Sequence, residues 1–135
     1  MMQNIIVTPL HLVGQDDRGA TYDYSVRENS DYILIMRKQG SISGNTYHEG
    51  KNKATDPKTF VLISGEIELT FRHIDENQPQ TMKISKPSVI AVQPFITHAM
   101  EAITDMIVLE CNSIADIQND RHRENVIQQK VGTDE

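Results

Sequence analysis

The chain is built from short apolar runs separated by turn-forming clusters, and its dominant period is two rather than 3.6. Glu66-Ile67-Glu68-Leu69-Thr70-Phe71 alternates polar and apolar residues as a half-buried strand does. Similar runs predict strands over Ile5 to Val13 (interrupted by Pro9), Ala20 to Ser25, Tyr32 to Met36 and the more polar Ser41 to His48. Further strands are predicted over Phe60 to Ile63, Met82 to Ser85, Val89 to Val92, His98 to Ile103 and Met106 to Glu110. Gly14 to Gly19, Gln39-Gly40, Ser64-Gly65 and Asp75 to Pro79 supply the turns, and the charged stretch from Glu49 to Pro57 reads as an exposed loop. Hardly any helical period precedes residue 113, so the pattern predicts an all-β sandwich or barrel. Beyond Ile114 the chain turns polar, and Asp116 to Gln129 fits a short helix or a disordered tail. The expected division is one domain over residues 1–113 and a polar C-terminal tail over 114–135.

Length and charge narrow the function classes more than they identify one. A chain of 135 residues is one domain's worth, long enough to bury a core without disulfides. A net charge of −6 argues against a nucleic-acid partner, because phosphate binding needs a basic surface. No apolar run approaches the roughly 20 residues of a membrane helix, so no membrane partner is expected. The N-terminus lacks a secretory pattern and Cys111 stands alone, which together lead us to expect a cytoplasmic location.

Between Gly40 and His98 the sequence resembles the cupin superfamily, whose double-stranded β-helix (jelly-roll barrel) suits the strand pattern. The family's first motif runs Gly, five residues, His, one residue, His, three or four residues, Glu, six residues, Gly. Here Gly40 is followed by five residues and Thr46-Tyr47-His48, and Lys58 by six residues and Gly65; the extra residues fall in the charged loop. The second motif ends in Pro-x-x-x-His, matched by Pro94 to His98, with the apolar run Val89 to Val92 leading into it. Gly44 to His48 followed by Phe60 to Gly65 is similar to segments of nucleotide-sugar cupins. These include the C-terminal cupins of capsule-sugar reductases and the dTDP-hexose 3,4-ketoisomerases. Asp17-Arg18-Gly19 resembles the start of the ketoisomerases and of the dTDP-sugar 3,5-epimerases.

The departures from the motif carry as much information. Thr46 stands at the first motif histidine and Lys58 at the glutamate, so His48 and His98 alone remain of four usual metal positions. A lysine ammonium repels a divalent metal, which makes these two histidines weak metal candidates. No cofactor is expected, beyond a weakly held divalent metal. The resemblance implies an isomerase or epimerase acting on a nucleotide-activated keto-sugar by proton transfer, with no metal required.

In that reading His48, His98 and Tyr47 are the catalytic candidates, an imidazole taking the proton next to the carbonyl. Lys58 or Tyr47 would then steady the enolate. Thr46, Lys58, Phe60, Met100 and Arg18 are the candidate substrate contacts, Arg18 through a ligand phosphate. Each has a plainer alternative: Lys58 can be a loop-edge lysine reaching solvent, Arg18 part of an ordinary turn, Tyr47 a packed sheet residue. Two other functions stay open. One is a non-catalytic cupin that binds a sugar or small organic acid, and the other a metal-dependent cupin enzyme. The resemblance also implies a homodimer, formed through the N-terminal strand.

Overall fold

The computed structural model describes residues 4–26 and 31–127. The strands are β1 (Ile5–Pro9), β2 (His11–Asp16), β3 (Gly19–Asp23), β4 (Ile33–Arg37), β5 (Ile42–Tyr47) and β6 (Lys58–Ser64). They continue as β7 (Ile67–His73), β8 (Gln80–Ile84), β9 (Ser88–Val92), β10 (Ile96–Ala102) and β11 (Met106–Glu110). One helix, α1 (Ile114–Asn119), and a two-residue strand, β12 (His122–Arg123), follow. Two antiparallel five-stranded sheets face each other, in the orders β1-β9-β6-β11-β4 and β12-β5-β10-β7-β8. This is the expected all-β jelly-roll barrel.

The alternation seen in the sequence sets the core. Ile67 and Leu69 of β7 point inward and are fully buried, as are Leu62 and Ile90 of the opposite sheet. The two inner faces interdigitate in one cluster that also holds Phe71, Ile84, Val92 and Val108. The loop from Glu49 to Pro57 carries no strand, as expected, but it is not exposed throughout. Ala54 and Thr55 are buried, the Thr55 hydroxyl donating to the Asp120 carboxylate.

The predicted first strand is in fact two. Pro9 still pairs with Ser88, but it has no N–H to donate, and Leu10 N–H then donates to the Pro87 carbonyl at 3.0 Å. The chain leaves the barrel there. β2 pairs with β3 in a separate hairpin in which every residue is exposed, turning at Asp17-Arg18.

The segment expected as a polar tail carries α1 and β12, and both lie against the barrel. Ser113 caps α1, its hydroxyl accepting the Asp116 N–H at 3.0 Å, while Ile117 is buried beneath the helix. The helix is shorter than the predicted window and begins two residues earlier; Gln128 and Gln129 lie outside the described residues. Beyond it, β12 pairs with Tyr47 and Thr46, and the Asn45 side-chain oxygen accepts the Val126 and Ile127 N–H groups. Among the described residues no helix is long and apolar enough to cross a membrane.

Gly65 joins β6 to β7 with φ of +97°. A Cβ there would sit 2.9 Å from Met106 Cα and closer still to the Asp105 carbonyl oxygen. Gly65→Ala is expected to cost about 1–3 kcal/mol through positive φ and crowding together. Urea unfolding would register this as a lower midpoint at unchanged slope, and a wild-type midpoint would contradict the packing at this turn.

Candidate functional site

Two distant segments meet at the mouth of the barrel. Thr46 of β5 lies opposite His98 of β10, and His48 follows immediately beyond β5. A bulge makes the crossing possible: Asn45 takes φ of 59° and Gly44 φ of +109°. A Cβ on Gly44 would lie 2.8 Å from the His98 carbonyl oxygen, so only glycine lets β5 pass this close. The His48 and His98 rings are 5.8 Å apart between centroids, and Phe60 meets His98 edge-on at 5.8 Å. Both histidines are buried, 4% and 3% exposed.

Backbone carbonyls fix the tautomer of each ring. His48 Nδ1 contacts the Asp120 carbonyl and His98 Nδ1 contacts the Ile96 carbonyl at 3.0 Å. A carbonyl oxygen only accepts, so each Nδ1 carries the proton and each Nε2 keeps its lone pair. Neither Nε2 has a hydrogen-bond partner among the described residues, and both rings line one cavity. Burial pushes His48 down to about 4, with the nearby Lys58 charge adding to it. Burial pushes His98 down to about 3, and the neighbouring His48 lowers it further. At neutral pH the cavity therefore presents two uncharged imidazoles as acceptors.

The cavity wall contains three of the expected contact residues: Thr46, Phe60 and Met100. Met106 and Val108 extend its apolar floor. The Thr46 hydroxyl has no partner among the described residues and is free to donate to a ligand oxygen. Three other expected residues are elsewhere. Tyr47 follows Thr46 by one position and so points to the opposite face of β5, where it stacks on the His122 ring at 5.0 Å. Arg18 sits at the exposed tip of the β2–β3 hairpin, its guanidinium held by Asp16 at 2.8 Å, outside the cavity wall.

Lys58 neither reaches solvent nor lines the cavity. It is 1% exposed at the start of β6, with its ammonium paired to Glu110 and 5.4 Å from the Phe60 ring centroid. Burial lowers its pKa from the ordinary lysine value, while the Glu110 carboxylate works in the other direction. The position that carries the motif glutamate thus holds an internal ion pair. The cavity wall also carries the Glu110 carboxylate, but the Lys58 ammonium already holds it. Two imidazoles with a threonine and a committed carboxylate are a poor donor set for a divalent ion. The barrel positions do not fit a metal.

Several wall residues have no family motif to mark them. Ile33, Ile35 and Arg37 line the cavity from alternate positions of β4. Arg37 donates to Ser43 Oγ at 3.2 Å and to the Met36 carbonyl at 3.1 Å. Ile117, Gln118 and Arg121 close another side from α1 and its end. The alternation in β4 and the Ser113-x-x-Asp116 capping pattern are the signals that point to these elements. Asp120 is fully buried and braces the whole corner. Its carboxylate accepts the Glu49 and Lys51 N–H groups at 2.8 Å and the Thr55 hydroxyl at 2.7 Å. Burial alone would raise that carboxyl, but these donors outweigh it and hold it below its usual value.

Known structures share this architecture. The dTDP-4-dehydrorhamnose 3,5-epimerase from Sulfolobus tokodaii superposes with a TM-score of 0.73 at 12% identity, covering 100% of this chain and 86% of its own. The sugar 3,4-ketoisomerase QdtA from Thermoanaerobacterium thermosaccharolyticum, in complex with TDP, gives 0.70 at 13% identity, covering 92% and 90%. The capsular polysaccharide assembling protein CapF from Staphylococcus aureus gives 0.61 at 24% identity, covering 87% of this chain. This chain spans only 35% of that CapF chain. At these identities the likeness establishes the fold. No curated protein sequence matches the chain. Residues 14–122, which run from within β2 to the first residue of β12, match the family described as the polysaccharide biosynthesis C-terminal domain, and the chain belongs to that family.

Proposed function

We propose that the cavity takes the sugar of a nucleotide-activated keto-sugar and that the histidine pair moves a proton on it. The observation that carries this reading is the pair of Nδ1-anchored rings lining one partly apolar cavity, each with an Nε2 that has no hydrogen-bond partner among the described residues. A sugar offers hydroxyls to such acceptors and a C–H face to Phe60, Met100 and Met106. In the reaction, one Nε2 takes the proton from the carbon next to the ketone, and the electron pair moves into an enolate. The Thr46 hydroxyl donates a hydrogen bond to the enolate oxygen. Return of the proton to the opposite face gives the epimer. Its return to the former carbonyl carbon, with the neighbouring hydroxyl's proton passing to the enolate oxygen, gives the isomer. Arg37 and Arg121 on the cavity wall bring positive charge to where a diphosphate would lie. Support for the nucleotide part comes from relatives of the same fold, described as a dTDP-sugar epimerase and a ketoisomerase bound to TDP.

A second reading, binding without turnover, is favoured by Thr46 at the position where the family's motif has a histidine. Incubation with a dTDP-4-keto-sugar in deuterated water separates the two. Proton transfer puts one deuterium next to the carbonyl, and His98→Ala or His48→Ala slows this by at least about 100-fold. Ligand-induced stabilisation without label selects the binding reading. Exchange undiminished in both variants removes the proposed chemistry.

A further inference from the structure

Glu49, Asp120 and His122 gather outside the cavity wall, on the far side of the strand that carries Thr46. Pairing of His122 with Tyr47 brings β12 beside the start of the 49–57 loop, and Asp120 ends α1 just before it. One ligating atom from each of the three lies within 4.8 Å of the others. His122 Nε2 is 3.5 Å from Glu49 Oε2 and 3.6 Å from Asp120 Oδ1, both too long for a hydrogen bond. That nitrogen is nevertheless sealed from solvent and has no hydrogen-bond partner among the described residues. A ring nitrogen within ion-pair range of two carboxylate oxygens, and hydrogen-bonded to neither, is placed as three ligands of one ion are.

The spacing suits a metal ion. Nitrogen and oxygen ligands about 2.0–2.1 Å from a tetrahedral zinc lie roughly 3.3–3.4 Å apart. The two observed separations need to close by only a few tenths of an ångström. The groups are also held in place. Asp120 Oδ2 is taken by Lys51 N–H and Thr55, while among the described residues Oδ1 accepts the Glu49 N–H alone and keeps a lone pair for a ligand. The His122 ring is oriented by stacking on Tyr47 at 5.0 Å. Lys51 Nζ approaches the other Glu49 oxygen, Oε1, at 3.4 Å and leaves Oε2 for the ion.

We propose that Glu49, Asp120 and His122 form a divalent-cation site, suited to zinc, with water completing the coordination. Through it the ion ties the 49–57 loop to the α1–β12 segment. It also bears on the cavity, because the Asp120 backbone carbonyl holds His48 Nδ1 while its carboxylate ligates the ion. The proposal is independent of which ligand the cavity takes.

The test is titration of the chelator-treated full chain with zinc, read by calorimetry and by the melting temperature. We expect one ion per chain, a higher Tm, and at least about tenfold weaker binding in His122→Ala and in Glu49→Gln. His98→Ala should bind zinc as the wild type does. Circular dichroism of both ligand variants confirms that they are folded; Glu49 lies in a loop, so its variant keeps the test open if His122→Ala is damaged. No stoichiometric binding to the wild type overturns the site. So does zinc affinity that survives both ligand substitutions but falls in His98→Ala, which would place the ion on the barrel histidines instead.

Discussion

Lys58→Met is expected to destabilise the fold by about 3–5 kcal/mol, because it leaves the Glu110 carboxylate without its counter-charge. The ammonium is 1% exposed, and Glu110 is its ion-pair partner among the described residues. Removing one member of such a pair strands the other in a poorly solvated place, while removing both does not. The double variant Lys58→Met/Glu110→Leu should therefore recover most of the loss and approach or exceed the wild type. Urea unfolding of the three proteins measures this directly. A single variant within about 1 kcal/mol of the wild type would mean that the carboxylate reaches water and that the pair is not internal. The same experiment bears on chemistry. A glutamate held by a lysine is not available as a metal ligand, so the pair replaces the metal corner of the motif.

Acidification should weaken the fold well before any carboxylate titrates. His48 and His98 are neutral in the folded state, with values near 4 and 3, whereas an unfolded histidine titrates near 6.5. Below pH 6.5 the unfolded chain binds protons that the folded chain refuses, so stability present above that pH is lost as the pH falls toward 4. Each ring approaches a slope of about 1.4 kcal/mol per pH unit below pH 6.5, so the pair amounts to roughly 3 kcal/mol between pH 6.5 and 5. Chemical unfolding at several pH values, with chelator present, reads the slope. His98→Gln should remove about half of it. A flat profile from pH 7 to 5 would show that the rings are solvated and charge freely.

The residues that sequence reasoning placed well are those fixed by strand parity and by motif spacing. Thr46 and His48 share a face of β5, Phe60 and Met100 point inward by the same rule, and the Pro94-to-His98 element locates the second ring. Tyr47 fails by that same parity: one residue's step turns a side chain to the opposite face, whatever its chemistry. Arg18 belongs to a local three-residue match, and nothing local reveals that Pro9 ends the ladder and sends the next two strands away from the barrel. Motif spacing makes Lys58 a candidate contact and its place beside a charged loop makes it a candidate surface lysine, but its burial depends on Glu110, 52 positions away in the chain.

The closing wall was the least legible part. Ile117, Gln118, Arg121 and Asp120 lie in a stretch whose composition reads as solvated, and their role comes from contacts made across the whole chain. The bond from His48 to the Asp120 carbonyl spans 72 residues. The Asn45 side chain that holds Val126 and Ile127 spans more than 80. A polar segment pinned by backbone hydrogen bonds carries no hydrophobic period, so pattern reading passes over it.

Nitrogen-15 NMR of the histidine rings tests most directly whether the two imidazoles form one ligand-facing pair. Near pH 7 His48 and His98 should both show a protonated Nδ1 and an unprotonated Nε2, and both Nε2 signals should move when a dTDP-sugar is added. A ring protonated at Nε2, or two Nε2 signals that stay fixed while the ligand saturates the protein, would contradict it.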